Sequence, residues 1–298
     1  MHITVLEEEA VAHLNLKKDS MVVDCTLGSG GHAKNILKHL GKEGVYFGID
    51  VDESAIETAQ TSLTPATAKV VLCEGNFRNI EALVQEKGFE HVDAILADLG
   101  WRLEQFEGET KILRGFSFKK DEPLAMTYGN PQNYAFTAHD IVNDWNEEDI
   151  ANVIYGYGEE RYSRRIAKAI VEARSEKTIE SSLELAEIVS STVPPLQRKG
   201  KIHPATKTFQ ALRIAVNDEF DALRDLLLSG FELLAPKGRM AIISFHSLED
   251  RIVKETFKTF TRDQKGVLVT KKPVSPSKEE IINNPRARSA KLRIIEKI

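Results

Sequence analysis

Four short apolar runs in the first hundred residues, separated by helical patterns, constrain this chain more than any other feature. Met21–Cys25, Val45–Asp50, Lys69–Leu72 and Val92–Asp98 read as buried strands, and Ala33–Leu40, Glu53–Ser62 and Asn79–Glu86 as the helices between them. Strands that alternate with helices build a parallel sheet covered on both faces. The rhythm resumes late in the chain. A helix from about Asp218 to Leu234 leads through Ala235-Pro236-Lys237-Gly238 into the apolar run Arg239–Phe245. Another helix starts at Ser247, and Leu292–Glu296 is a plausible last strand.

Some 140 residues separate Asp98 from Arg239, far more than the roughly 12 that a crossover needs. From about Thr137 to Pro194 they carry helical periodicity and few strand signals. The expected architecture is therefore α/β: a mostly parallel, Rossmann-like sheet with an inserted all-helical domain. The boundaries fall at 1–115 and 200–298 for the sheet domain and 116–199 for the insertion.

Composition narrows the class. With 42% hydrophobic and 29% charged residues, the chain has the make-up of a globular protein. Its two cysteines, Cys25 and Cys73, form neither a disulfide framework nor a metal-ligand spacing, so no metal is expected. The N-terminus lacks the pattern of a signal or transit peptide, and no apolar run reaches the ~20 residues of a membrane span. A cytoplasmic protein that does not enter the membrane is expected, with a homodimer left open. The net charge of −5 speaks against a generic polyanion binder. Charge is uneven, however: from Arg262 to Ile298 there are ten Lys or Arg against four Asp or Glu, which permits a local footprint for nucleic acid.

The turn after the first strand carries the most specific chemistry. Gly28 to Ala33 fits G-x-G-x-x-A, the dinucleotide-binding fingerprint. In that fingerprint the first glycine follows the strand almost directly. Here Cys25-Thr26-Leu27 intervene, and Asp24 sits at the base of the turn. A longer turn over a carboxylate suits a ligand with a cationic amine better than a pyrophosphate. The arrangement resembles the first motif of the class I S-adenosylmethionine methyltransferases, in which Gly28, Gly30 and Gly31 would let the backbone approach the ligand. Asp50, at the end of the second strand, suits ribose hydroxyls in either reading. Phe77, after the third strand, could pack on an adenine ring. The bland alternatives are a structural glycine turn and a surface carboxylate. An NADP oxidoreductase is disfavoured by Asp24 and the spacer.

Longer motifs carry a more specific resemblance. They are DCTLGSGGH (24–32), GEERYSRRIAKAIVEAR (158–174), HPATKTFQALRIAVNDE (203–219) and SFHSLEDRIVK (244–254), with NPRARSAKLR (284–293) and HITVLEEE (2–9) in support. Over nearly its whole length the chain resembles the RsmH/MraW family, which methylates the exocyclic N4 of a cytidine in small-subunit (16S) ribosomal RNA. The resemblance implies S-adenosyl-L-methionine as cofactor, S-adenosyl-L-homocysteine as product and small-subunit RNA as partner. It implies a cofactor-contacting set of Gly30, Gly31, His32, Asp50, Phe77, Asp98 and Gln105. The chain departs from the family where a stretch like DLGVSSPQLD becomes DLGWRLEQFE (98–107), and where a run like PLDMRMD becomes PLAMTYG (123–129). These departures keep two rivals open: a methyltransferase for another nucleobase or a small molecule, and an RNA-binding assembly factor with weakened catalysis.

The chemistry required of such an enzyme singles out further residues. A cytosine amine is a poor nucleophile, and a group accepting its hydrogen bonds would favour a more tetrahedral nitrogen. Asp98, at the carboxyl end of the fourth strand, is placed for that role. Trp101 is a candidate stacking surface for a flipped base, as in D-P-P-Y type motifs, or else fills core space. His246, at the end of the fifth strand, is either a substrate contact or a structural hydrogen-bonding group, and Ser247 with Asp250 reads as a capping box. For RNA, Arg161, Arg164, Arg165 and Lys168 share one side of a helix whose buried stripe is Tyr162, Ile166, Ile170 and Ala173. Gln210, Arg213 and Asn217 form a polar stripe opposite Phe209, Leu212 and Val216, either solvated or lining the site. Arg286 and Arg288 in the basic tail complete the RNA-binding candidates.

Overall fold

Every residue of β1 (Met21–Asp24) is buried, as a strand flanked on both edges and covered on both faces must be. β1 pairs in parallel with β2 (Val45–Asp50) on one side and β4 (Val92–Asp98) on the other. β3 (Lys69–Glu74) extends the sheet beyond β2, and β5 (Leu234–Ser244) extends it beyond β4. β7 (Lys291–Lys297) then joins β5 antiparallel, and β6 (Gly266–Leu268) closes that edge. The seven-stranded order is β3-β2-β1-β4-β5-β7-β6. These relations come from a computed structural model, which describes residues 3–100, 113–194 and 203–298.

Period-two alternation divides the strand side chains between two cores. Val22, Tyr46, Ala94, Leu96, Ala241 and Ile243 face one. Val23, Phe47, Ile95, Ala97, Met240 and Ile242 face the other. The first core is covered by α1 (Glu7–His13), α2 (Gly31–His39) and α3 (Glu53–Ser62), which bring Ala10, Val11, Ile36, Ile56 and Ala59. The second is covered by α4 (Ile80–Glu86), with Ile80 and Val84. Fully burying each large aliphatic side chain contributes roughly 1.5–3 kcal/mol, so the two faces fix the register of the whole sheet.

The fold is the mostly parallel, Rossmann-like sheet expected from the sequence. Because β1 has β2 on one side and β4 on the other, the chain leaves the centre of the sheet in both directions. Such a switch point opens a crevice at the carboxyl ends of the strands. Asp24 and Asp98 terminate the two strands that border it.

The chain forms two compact units, Met1–Gly100 with Phe220–Ile298, and Trp101–Glu219. The divisions fall at 100/101 and 219/220, whereas the sequence suggests 115/116 and 199/200. Among the described residues the second unit has helices and 3-10 turns but no strand. Its helices are α5 (Ala138–Asp144), α6 (Glu147–Gly158), α7 (Ser163–Glu176), α8 (Ser182–Thr192) and α9 (Thr206–Asn217). The second division lies later than expected because α9 buries Phe209, Leu212 and Val216 with Ile150, Ile154 and Ile166. The chain then re-enters the first unit through α10 (Glu219–Leu233), and α11 (Ser247–Arg262) and α12 (Lys278–Asn283) follow.

Candidate functional site

The turn after β1 is bound to the sheet at successive points. Cys25 N–H donates to the Leu96 carbonyl at 2.8 Å, and Leu27 N–H to the Ile49 carbonyl at 3.0 Å. Gly28 and Gly30 then take φ values of 53° and 78°, the left-handed region where a Cβ is disfavoured. Gly30 is the N-cap of α2, so the loop runs straight into the helix N-terminus. At Gly31 a Cβ would fall 1.8 Å from Thr4 Oγ1, which explains the third glycine by packing of the N-terminal segment.

Asp24 lies beneath this loop, 0% exposed. Its Oδ1 accepts the Thr26 N–H at 3.1 Å, and its Oδ2 accepts the Tyr46 hydroxyl at 2.8 Å. Burial pushes the Asp24 carboxyl above the usual range, a rise that His32, Tyr46 and the Thr26 N–H only partly offset. Both oxygens serve the loop and strand, so Asp24 is placed as a brace. Two residues of this network were not singled out from the sequence. Tyr46 occupies an apolar position of β2, and a buried tyrosine needs a partner for its hydroxyl, a signal that the sequence did carry. Thr26 Oγ1 accepts the Asp98 N–H at 2.7 Å and so ties the end of β4 to the glycine loop.

His32, the second residue of α2, is 5% exposed, and its Nε2 lies 3.5 Å from Asp98 Oδ2. That is ion-pair distance rather than a formed hydrogen bond. Both His32 ring nitrogens and Asp98 Oδ1 are buried without hydrogen-bond partners among the described residues. Burial alone would lower the His32 pKa. The Asp98 carboxylate, with Asp24 and Glu7 behind it, outweighs burial and leaves it raised. The site therefore presents a cation-favouring imidazole beside two carboxylates, with donors and acceptors still to be satisfied. Leaving such groups unpaired costs about 1–3 kcal/mol each, and a polar ligand at the loop would recover it.

Asp50 ends β2 beside the loop. Its Oδ2 accepts the Gly28 N–H at 2.8 Å and its Oδ1 the Asp52 N–H at 3.0 Å. Phe77 opens a half-buried 3-10 turn after β3, capped by Asn76. The structure thus gathers Asp24, Gly28, Gly30, Gly31, His32, Asp50 and Asp98 around one loop at the carboxyl ends of β1, β2 and β4. Trp101 and Gln105 lie outside the described residues.

At the end of β5 the helix cap differs from the expected Ser247/Asp250 pair. His246 is the N-cap of α11, and Glu249 is its capping partner. The Glu249 Oε2 accepts the Phe245 N–H at 2.9 Å and the His246 N–H at 3.3 Å. Asp250 is committed elsewhere: its two oxygens accept Lys291 Nζ at 2.9 Å and Arg293 Nε at 2.7 Å. The cap sits one residue earlier because a histidine Nδ1 can accept the N3 N–H just as a serine oxygen does. His246 therefore has a structural role in this unit. Two cations of the basic tail are likewise spent on Asp250.

The remaining candidates divide by exposure. Arg164, Arg165 and Lys168 are exposed on α7, and Arg161 is exposed in the turn before it, since the helix starts only at Ser163. Lys168 pairs with Glu172 at 3.6 Å. Arg286 and Arg288 are exposed on a 3-10 turn, on either side of buried Ala287. Arg213 and Asn217, by contrast, are buried. Arg213 Nε and Nη2 donate to Glu219 at 2.7 and 2.8 Å. Asn217 accepts the Tyr128 N–H at 2.8 Å and donates to the Met126 carbonyl at 2.7 Å. The polar stripe of α9 thus holds the 126–128 segment in place. The altered run 123–129 is itself interior at Leu124, Met126 and Thr127.

A glycine loop with αL glycines, a switch-point crevice and an acidic residue ending each bordering strand form a site for a nucleoside-bearing ligand. Comparison with known proteins is more specific. The model of the MraW methylase family matches residues 1–298, and the chain belongs to that family. Proteins named ribosomal RNA small subunit methyltransferase H are similar throughout. That of Brevibacillus brevis is 42% identical over 313 residues, covering 100% of this chain and 98% of the relative. That of Persephonella marina is 43% identical over 297 residues, covering 100% and 99%. That of Acetivibrio thermocellus is 45% identical over 314 residues, covering 100% and 99%. Among solved structures, an rRNA methylase from Streptococcus thermophilus aligns with a TM-score of 0.43 at 14% identity over 100% of this chain and 99% of that one.

Proposed function

We propose that this methylase uses S-adenosyl-L-methionine to methylate the exocyclic N4 of a cytidine in small-subunit ribosomal RNA, releasing S-adenosyl-L-homocysteine, and works in the cytoplasm. The observation that carries the reading is the group of unsatisfied buried polar atoms on His32 and Asp98, beside a glycine loop that brings backbone close to a ligand. These residues fit a donor bearing an ammonium, a carboxylate and a ribose. When bound, the donor supplies a methyl group activated on a sulfonium.

The protein's residues hold and orient. His32 offers its imidazole to the carboxylate of the donor, and Asp98 offers its free oxygen to an amine. Asp50 keeps acceptor capacity for ribose hydroxyls, since a carboxylate has about four lone-pair sites, and Phe77 borders the adenine side. Asp24 acts from beneath, bracing the loop through Thr26 and Tyr46. Asp98 also accepts from the cytosine amine if the base reaches the end of β4, with Trp101 as the stacking surface, and Gln105 is a further contact to the donor. Catalysis is then mainly in-line positioning of methyl and amine, without a covalent enzyme intermediate. Exposed Arg161, Arg164, Arg165, Lys168, Arg286 and Arg288 supply phosphate contacts, which carry affinity rather than sequence selection.

Purified protein with labelled S-adenosylmethionine should transfer label to small ribosomal subunits that lack the modification. Absence of transfer, with donor binding intact, would replace this reading with that of an assembly factor.

A further inference from the structure

The turn that joins α6 to α7 combines exposed aromatic surface with cations. Tyr155, in the last turn of α6, is 66% exposed, so its ring is open to a partner and its hydroxyl remains in water. The helix ends just beyond it, where Glu159 takes a left-handed φ of 47° and donates its N–H to the Tyr155 carbonyl at 3.0 Å. Next come Arg161 and Tyr162. The Arg161 guanidinium lies 4.7 Å from the centre of the Tyr162 ring and donates to the Tyr162 hydroxyl at 2.7 Å. Arg165 stands 5.8 Å from the same ring. Lys207 reaches the turn from α9 and donates to the Glu159 carbonyl at 2.8 Å. Glu160 is buried and accepts the Tyr162 N–H at 2.9 Å, whereas Glu159 is exposed, so the turn presents one carboxylate against the cations Arg161, Arg165 and Lys207.

We propose that this turn is a platform for single-stranded RNA, on which Tyr155 stacks a base while Arg161 and Arg165, fixed by Tyr162, hold the flanking phosphates. The inference rests on the proposed RNA substrate and goes beyond it in naming the aromatic contact and the strandedness. A ring can be covered by a base only when that base is out of a duplex. Stacking is tolerant of sequence because every base has a π-face. Guanidinia already packed on Tyr162 lose less freedom on meeting phosphate than unrestrained ones. Duplex RNA would offer the same phosphates but no free base for Tyr155.

Fluorescence anisotropy of a labelled cytidine-containing RNA oligonucleotide, alone and annealed to its complement, tests this with the full-length protein. Tyr155→Ala should weaken single-strand binding roughly tenfold and leave duplex binding unchanged, while Tyr155→Phe should bind like the wild type. The double change Arg161→Gln with Arg165→Gln should flatten the salt dependence of single-strand binding by a log–log slope of about 1.4. Equal affinity of Tyr155→Ala and wild type, or equal loss on both RNA forms, overturns the platform. Failure of the wild-type protein to methylate small subunits would instead overturn the proposed activity, so the two failures are distinguishable.

Discussion

Tyr46 and Asp24 show how much of the site rests on residues that cannot touch a ligand. The Tyr46 hydroxyl satisfies one oxygen of a carboxylate that no water reaches. Tyr46→Phe should lower the unfolding free energy by about 1–3 kcal/mol, measurable by urea denaturation; an unchanged midpoint would mean that Asp24 has another partner. His32 is closer to the chemistry. His32→Gln should weaken S-adenosylmethionine binding roughly ten- to a hundredfold in calorimetry, the range for one charge-assisted hydrogen bond. Asp250 has a purely structural prediction. Burial alone would raise its carboxyl, but Arg293 and Lys291 hold it below the usual range. A depressed folded-state pKa stabilises the fold above the unfolded value of 3.8. That contribution is lost as pH falls below 3.8 toward the lowered value. Acid unfolding followed by circular dichroism should begin at higher pH for Arg293→Gln than for the wild type, and coincident curves would remove the pair from the account.

At the scale of elements, α9 carries the largest local consequence. The Arg213–Glu219 pair is almost wholly buried, and removing one partner from such a pair costs about 3–5 kcal/mol. Arg213→Ala should therefore be markedly destabilised in thermal unfolding. A loss confined to RNA affinity would show that Arg213 faces the substrate after all. The sequence displayed the stripe Gln210, Arg213 and Asn217 clearly enough, but periodicity tells which side of a helix is polar and not what that side meets. Tyr128 and Met126, which Asn217 holds, are 89 and 91 residues away along the chain. The cap of α11 departs from the local pattern for a related reason: Ser247 and Asp250 fit a capping box, but Lys291 and Arg293 of β7 claim Asp250. β6 has only three residues, and α1 only seven after an αL cap at Leu6. Three residues are too few to show alternation, and α1 follows an αL residue that no local pattern marks.

For the whole molecule, the sheet was legible because the alternation of strands with helices agrees with near-continuous burial along β1, β2 and β4. The apolar runs of β1, β2 and β4 need cover on both faces, which a parallel sheet flanked by helices provides. The loop at the crevice was legible as well, because Asp24 and the left-handed glycines leave a strong local signature. The atom to be methylated belongs to the reaction rather than to the fold, and a shared fold does not fix it. The most direct test is nucleoside mass spectrometry of small-subunit ribosomal RNA after incubation with this protein and S-adenosylmethionine. The account predicts one added methyl group on cytidine at N4, lost with Asp98→Ala. Methylation at carbon 5, on another base, or undiminished in Asp98→Ala would contradict it.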